Sequence, residues 1–213
     1  MTTPVSQSNL PPSGGLLVAL EGIDGSGKTT AAQALVARLV DNGIDAIYLR
    51  EPTDGPFGRE LRECMVTPGP RDAQQEFELF LADRHEDVET NIRPALKRGA
   101  VVCIDRYYIS SMAYQGALGI DVQKIQKANE AIAPPPDVIF YFHISVEKAL
   151  ARIRASRTDG TNQFERAEYL ARVSQIFESM SFPQMVTINA EDDPAAVLSQ
   201  IYTIVSLRVK SLT

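Results

Sequence analysis

The chain has 213 residues, of which 44% are hydrophobic and 23% are charged, a composition typical of a globular protein. Its formal net charge of −6 provides no basic field that would attract a nucleic-acid backbone, so we expect no nucleic-acid partner. No apolar run approaches the length that spans a bilayer, so we expect no membrane association and a cytoplasmic protein.

The first residues of the chain differ in composition from the rest. Residues 1–14 are rich in Ser, Thr, Pro and Gly, and they lack the basic start and apolar core of a secretory signal. We expect residues 1–14 to form a disordered tail. Residues 15–213 are long enough for one domain and short for two, so we expect a single domain there.

From residue 16 onward, short apolar runs alternate with longer amphipathic stretches, a pattern typical of βαβ units and a parallel sheet. The predicted strands cover residues 16–21, 44–50, 100–105, 138–144 and 185–189. The predicted helices cover residues 28–40, 58–65, 74–98, 110–117, 121–132, 146–154, 167–180 and 194–207. Pro94 is expected to kink or divide the third helix. The pattern predicts an α/β fold, a doubly wound parallel sheet of five strands with helices on both faces.

A phosphate-binding loop is indicated after the first predicted strand, where the chain matches G-x-x-x-x-G-K-[ST] at every fixed position. Glycines allow successive amide N–H groups to surround phosphate oxygens, and the positive end of the following helix faces the same anion. Lys28 would reach the outer phosphates and the Thr29 hydroxyl would hold Mg²⁺. The predicted ATP-binding residues are Gly22, Ile23, Asp24, Gly25, Ser26, Gly27, Lys28, Thr29 and Thr30.

The loop alone does not distinguish kinases from GTPases or ATPase motors. A GTPase would carry an Asn-Lys-x-Asp guanine-binding motif, and the chain contains no Asn-Lys pair. A motor would usually add further domains or a basic surface, and neither is visible in the sequence. A kinase is therefore favoured.

Charged residues close two of the predicted strands. Arg50 and Glu51 follow the second strand, and α/β sheets place their ligand crevice at such carboxyl ends. Asp105 ends the third strand and would hold the water shell of Mg²⁺ if that strand neighbours the first. Arg106 offers a planar fork suited to phosphate, although a structural ion pair at the strand end is the alternative.

Two helical stretches carry further candidates. Phe80 and Arg84 are four residues apart and share a helix face, so they could stack on a base and bond its edge, although Phe80 also fits the apolar stripe of a core helix. Arg154 and Arg157 share a face of the polar segment 152–166, which could form a lid over ATP. The alternative is a solvated basic helix.

Five segments in order resemble the thymidylate kinase family. They are the phosphate loop, Arg50-Glu51-Pro52, residues 79–84, Asp105-Arg106-Tyr107 leading to Ala113-Tyr114-Gln115-Gly116, and residues 152–166. Ser26 replaces the loop arginine that some members carry, so the chain is similar to the bacterial type with lid arginines. The resemblance implies a homodimer that transfers a phosphoryl group from MgATP to dTMP.

The resemblance also implies roles for individual residues. The base would stack on Phe80 and bond to Arg84, with Ser111 and Gln115 at the other base-reading positions and Tyr114 near the deoxyribose. The implied catalytic residues are Lys28, Arg106, Arg154 and Arg157, with Arg152 and Arg166 as lesser candidates. The implied substrate-binding residues are Asp24, Arg50, Glu51, Phe80, Arg84, Arg106, Ser111, Tyr114, Gln115 and Glu165. The implied metal-binding residues are Thr29 and Asp105.

One departure from the family and three alternatives remain. After Pro52 the common bacterial Gly-Gly-Thr is replaced by Thr-Asp-Gly-Pro-Phe-Gly at 53–58, so the acceptor-side loop is altered. A deoxynucleoside kinase would use Glu51 to deprotonate a 5′-hydroxyl. Another pyrimidine monophosphate kinase would keep the chemistry on a different base, and a nucleotide-sensing regulatory module would bind ATP without turnover.

Overall fold

The computed structural model describes residues 14–66, 72–156 and 163–211, and within them five strands form one parallel sheet. The strands are β1 (Leu16–Glu21), β2 (Ala46–Arg50), β3 (Val101–Asp105), β4 (Val138–His143) and β5 (Met185–Asn189). Their order across the sheet is β2-β3-β1-β4-β5. Every residue of β1 and β3 is buried, as expected for central strands covered on both faces. The predicted five-stranded α/β fold is confirmed.

Helices connect the strands and surround the sheet. They are α1 (Lys28–Asp41), α2 (Pro56–Val66), α3 (Ala73–Asp87), α4 (Arg93–Lys97), α5 (Tyr108–Ala117), α6 (Val122–Glu130), α7 (Val146–Ser156), α8 (Gln163–Ser179) and α9 (Pro194–Lys210). In the described part of the chain, none of them combines the length and apolar character of a membrane span. The predicted tail, residues 1–14, lies outside the described residues except for Gly14 and stays a prediction.

The predicted helix 74–98 is divided. A π-helical turn, Val88–Ile92, separates α3 from α4, and Pro94 lies in the first turn of α4. Proline has no N–H to donate to the preceding turn, and the first turn of a helix is where that donor is not needed. The π-helical turn precedes Pro94, so the α-helical pattern changes before the proline and not at it.

The sheet register brings the site residues to one edge. Leu20 of β1 and Arg50 of β2 both lie opposite Asp105 of β3. Because the strands are parallel, the segments that follow β1, β2 and β3 leave the sheet at the same edge. The phosphate loop, Glu51 and Arg106 therefore meet there.

Candidate active site

The phosphate loop joins β1 to α1 and turns on glycines. Gly22, Gly25 and Gly27 have φ angles of 141°, 81° and 92°, which side chains rarely adopt. A Cβ at Gly22 would lie 2.7 Å from the carbonyl oxygen of Phe142, and one at Gly25 would lie 2.5 Å from that of Ala149. The loop thus packs closely against the end of β4 and against α7, and larger residues are excluded at both positions.

Lys28 lies buried at the start of α1, beneath the loop. Its Nζ donates to the Ile23 carbonyl at 2.9 Å and to Ser26 Oγ at 3.1 Å. Burial, followed by the neighbouring guanidinium of Arg106, lowers the pKa of Lys28 to about 7. A phosphate in the loop would favour the charged form of this amine, so anion binding and Lys28 protonation support each other.

Arg106 follows β3 and connects it to the phosphate loop. Its φ of 70° is uncommon for a residue with a side chain. The guanidinium donates to the Gly22 carbonyl and to Ser110 Oγ, both at 3.2 Å, and it forms an ion pair with Asp24. It also donates to the Tyr114 hydroxyl at 3.1 Å and lies 4.8 Å from the centre of that ring. These contacts hold the guanidinium beside the phosphate loop.

Asp24 completes this cluster from inside the loop. Its main-chain N–H donates to the Tyr114 hydroxyl at 3.0 Å, so this oxygen accepts from Asp24 and Arg106 together. Burial raises the pKa of the Asp24 carboxyl, but the charges of Arg106 and Lys28 outweigh it and the pKa is lowered. The carboxylate is therefore charged near neutral pH and orients Arg106.

Thr29 and Asp105 meet as predicted, because β3 lies next to β1. The Thr29 hydroxyl donates to Asp105 Oδ2, while Asp105 Oδ1 is buried and has no hydrogen-bond partner among the described residues. Both groups offer the oxygen ligands that Mg²⁺ prefers. The described residues contain no cluster of three His, Cys, Asp or Glu that could hold a metal.

Two clefts share the Asp24–Arg106 pair. A cleft of about 420 Å³ lies over the phosphate loop and is also lined by Asp105 and by Arg152 and Arg166. A second, smaller cleft lies between α2, α3 and α5, and its lining residues include Glu51, Phe80, Arg84, Ser111, Tyr114 and Gln115. Arg106 therefore borders both clefts.

Arg84 is held in a buried network at the floor of the smaller cleft. Its Nε donates to Glu51 Oε2 at 2.9 Å and its Nη2 donates to the same oxygen. Its Nη1 donates to Ser111 Oγ at 3.2 Å and to Asn129 Oδ1. Burial raises the pKa of Glu51, and the Arg84 guanidinium opposes that rise. Glu51, directly after β2, Ser111 of α5 and Asn129 of α6 together fix this arginine of α3.

Phe80 lies on the wall of the same cleft. It is half-buried, whereas Phe77, one turn earlier, is 2% exposed and belongs to the core. The apolar stripe of the helix therefore contains both a core ring and a cleft ring. This placement agrees with the base-stacking role that the family resemblance implies.

Comparison with known proteins gives the family directly. The family model described as thymidylate kinase matches residues 20–201. The chain is 46% identical over 176 residues to the thymidylate kinase of Desulfotalea psychrophila (strain LSv54 / DSM 12343), covering 83% of this chain and 87% of that protein. It is 44% identical over 192 residues to that of Xanthomonas euvesicatoria pv. vesicatoria (strain 85-10), covering 90% and 84%.

The chain belongs to the thymidylate kinase family. Its predicted lid arginines occupy different positions. Arg152 and Arg166 line the larger cleft, and Arg152 donates to the Ala190 carbonyl at 2.9 Å. Arg154 is exposed and donates to a carbonyl of its own helix at 3.3 Å. Arg157 and the Glu165 side chain lie outside the described residues, so their family roles stay predictions.

The loop that departs from the common bacterial family pattern is tied to α3. The Thr53 hydroxyl and N–H donate to the two oxygens of Asp83 at 2.6 and 2.9 Å, and Asp83 is fully buried. Arg50 is half-exposed and pairs with Asp54 of the same loop at 3.3 Å. The loop is therefore anchored beside the acceptor-side cleft.

Sequence reasoning missed three buried polar residues of this family site. Glu21 accepts hydrogen bonds from the Tyr107 N–H at 3.0 Å and from the Ser110 hydroxyl. Burial raises the pKa of Glu21 to about 7, although the Ser110 hydrogen bond lowers it. A carboxylate ending an apolar strand is a signal that could have identified Glu21. Glu76 and Asn129 lie in polar helical segments and carry no such signal.

Proposed function

We propose that the chain transfers the terminal phosphoryl group of MgATP to the 5′-phosphate of dTMP, giving ADP and dTDP. The observation that carries this proposal is the position of Arg106. Its guanidinium lines both clefts, so a nucleotide held by the phosphate loop and a second nucleotide in the smaller cleft would meet at one cation. Phosphoryl transfer between two anionic nucleotides requires such a shared positive charge.

The chemistry needs alignment and charge neutralisation more than acid–base catalysis. A nucleoside monophosphate carries most of its second negative charge at pH 7, because the second pKa of the phosphate is about 6. Its oxygen is already a nucleophile, so the site needs no general base. Lys28 and Arg106 would neutralise the transferring group, together with the lid arginines Arg154 and Arg157 or with Arg152 and Arg166, which line the cleft.

We assign Mg²⁺ to the Thr29–Asp105 pair. The contact between the Thr29 hydroxyl and the Asp105 carboxylate supports this assignment, because both are oxygen ligands and both line the cleft over the phosphate loop. When bound, the ion would supply positive charge that neutralises part of the phosphate charge. Thr29 and Asp105 would orient it next to the loop.

We assign recognition of the acceptor nucleotide to the smaller cleft. Phe80 would stack on the base, Arg84, Ser111 and Gln115 would read its edge, and Tyr114 would lie near the sugar. Asp24, Arg50, Glu51 and Glu165 would complete the acceptor site. From the family resemblance we also infer a cytoplasmic homodimer.

The test is turnover with different acceptors. The purified chain should release ADP from ATP in the presence of Mg²⁺ and dTMP, and it should not do so with thymidine. Lys28→Met should lower kcat with dTMP by about 100-fold or more, because the transferring group loses a cation. Lys97→Met, which replaces an exposed lysine at the end of α4, is the matched control and should retain activity.

Three results would overturn the proposal. Turnover of thymidine without turnover of dTMP would identify a deoxynucleoside kinase instead. ADP production that survives in Lys28→Met with dTMP would show that the phosphate loop does not carry the reaction. ATP binding without ADP release from any monophosphate would identify the nucleotide-sensing module.

A further inference from the structure

Gln115 and Glu76 form a buried pair at the acceptor-side cleft. Gln115 lies on α5 and is 1% exposed, and Glu76 lies on α3 and is 6% exposed. The side-chain amide nitrogen of Gln115 donates to Glu76 Oε1 at 2.8 Å. Both residues line the cleft that also contains Phe80 and Arg84.

The chemistry of this pair fixes the orientation of the amide. A carboxylate oxygen accepts hydrogen bonds and donates none, so the NH₂ group of Gln115 must face Glu76. The reverse orientation would oppose two acceptors in a buried contact, and such a contact is costly. Gln115 Oε1 is therefore directed away from Glu76, and within the described part of the chain this buried oxygen has no hydrogen-bond partner.

Arg84 complements this oxygen with a donor. Four of its five N–H groups are engaged, two with Glu51, one with Ser111 and one with Asn129. Among the contacts of the described residues, one N–H on Nη2 is left for a ligand. The cleft thus offers an acceptor on Gln115 and a donor on Arg84.

We propose that Glu76 is the positioning residue that sets base specificity, because it holds the Gln115 amide with its oxygen available to the acceptor base. An imide edge, an N–H next to a carbonyl oxygen, matches this arrangement, and thymine and uracil both carry it. Cytosine presents a ring-nitrogen acceptor next to an amino donor and would oppose like groups at both positions. This inference rests on the proposed function, since it assigns the monophosphate that the smaller cleft selects.

The test compares dTMP with dCMP in the Glu76→Gln variant. An amide at position 76 can accept as well as donate, so the Gln115 amide is free to turn and present its NH₂ group. The ratio of kcat/KM for dTMP to that for dCMP should fall by about 10-fold or more, the usual consequence of a mispaired buried polar group. The KM for ATP should stay unchanged, because the pair does not line the larger cleft.

A matched control lies on the same helix. Glu78 accepts from the Gln74 side-chain amide at 2.8 Å, and this pair is exposed. Glu78→Gln makes the same Glu-to-Gln change in the same kind of Gln–Glu pair two residues away, and it should preserve the acceptor ratio. The exchanged variant, Glu76→Gln with Gln115→Glu, places a carboxylate acceptor at position 115 and should recover most of the ratio that Glu76→Gln loses.

The outcomes separate this inference from the proposed function. If the parent protein does not phosphorylate dTMP, both the proposed function and this inference are wrong. If the parent phosphorylates dTMP and the Glu76→Gln variant keeps the parental ratio of kcat/KM for dTMP to that for dCMP, only the inference is wrong. Equal losses for both acceptors with a raised KM for ATP would show a packing defect, and that result also overturns the positioning role.

Discussion

Two carboxylates near the clefts, Asp24 and Glu21, differ in how their charge is compensated. Burial is the largest single influence on the pKa of both Asp24 and Glu21, but the charges of Arg106 and Lys28 outweigh it at Asp24, whereas burial prevails at Glu21. Two neutral donors, the Tyr107 N–H and the Ser110 hydroxyl, bond Glu21, and the guanidiniums of Arg106 and Arg84 act from farther away. A charged Glu21 is therefore costly in the folded chain.

The cost of charging Glu21 can be tested by measuring how the free energy of unfolding depends on pH. The folded chain keeps this proton up to about pH 7, whereas the unfolded chain releases it near 4.5. Between these values the unfolded chain binds fewer protons, so the free energy of unfolding falls as pH rises. Glu21→Gln removes this titration, so the variant should gain on the parent by up to about 3 kcal/mol across that window, measured by urea unfolding.

The control for this measurement is Glu147→Gln, which replaces an exposed carboxylate at the start of α7. Its unfolding free energy should follow that of the parent at every pH. Parallel curves for Glu21→Gln and the parent would contradict the expectation, because they would mean that Glu21 has the same pKa in the folded and unfolded chains.

At the scale of elements, α2 and the preceding loop form the variable wall of the acceptor cleft. Gly58, in the first turn of α2, lies against the loop, and a Cβ there would approach the Thr53 carbonyl oxygen to 1.9 Å. The Thr53 side chain is in turn fixed by Asp83 of α3. The substituted segment 53–58 is thus a tightly packed turn whose shape depends on one glycine.

Gly58→Ala tests this packing. Alanine normally stabilises a helix by about 1 kcal/mol relative to glycine. A loss of stability in Gly58→Ala would therefore come from the contact with the Thr53 carbonyl and not from helix propensity. We expect a loss of about 1–3 kcal/mol in unfolding free energy, together with a raised KM for dTMP and an unchanged KM for ATP. Glu60→Ala, at an exposed position of the same helix, should leave all three unchanged. A Gly58→Ala variant as stable as the parent would contradict the account.

At the scale of the whole molecule, the strand order places the site. β1 lies between β3 and β4, so the loop after β1 contacts Arg106 after β3 on one side and the end of β4 on the other. The larger cleft is completed by Arg152 of α7 and Arg166 of α8. Segments separated by more than a hundred residues therefore form one site on a single sheet edge.

The homodimer that we infer is tested by sedimentation. At micromolar concentration the protein should sediment with twice the 23.4 kDa mass of one chain. Sedimentation as a single chain at that concentration would contradict a stable dimer. The measurement should be repeated with dTMP and ATP present, because a ligand that prefers the dimer would shift the equilibrium toward it.

Local pattern was enough to predict the phosphate loop, the five strands and most helices. The loop depends on glycines and a lysine at fixed spacing, and the strands depend on continuous apolar runs, so both are visible in a short window. Helix ends were less accurate: α8 begins at Gln163 and not at residue 167, and α9 continues to Lys210. Short-range pattern does not determine where a helix frays.

Packing between distant segments decided the rest. The sequence pattern did not decide whether Phe80 lies in the core or in the cleft. It also contained no sign that Glu76 accepts from Gln115 or that Asn129 accepts from Arg84. These pairs are 39 and 45 residues apart, on different helices. A polar side chain in a helical segment becomes a fixed, buried partner only when another helix excludes water from it, and that depends on the assembled fold.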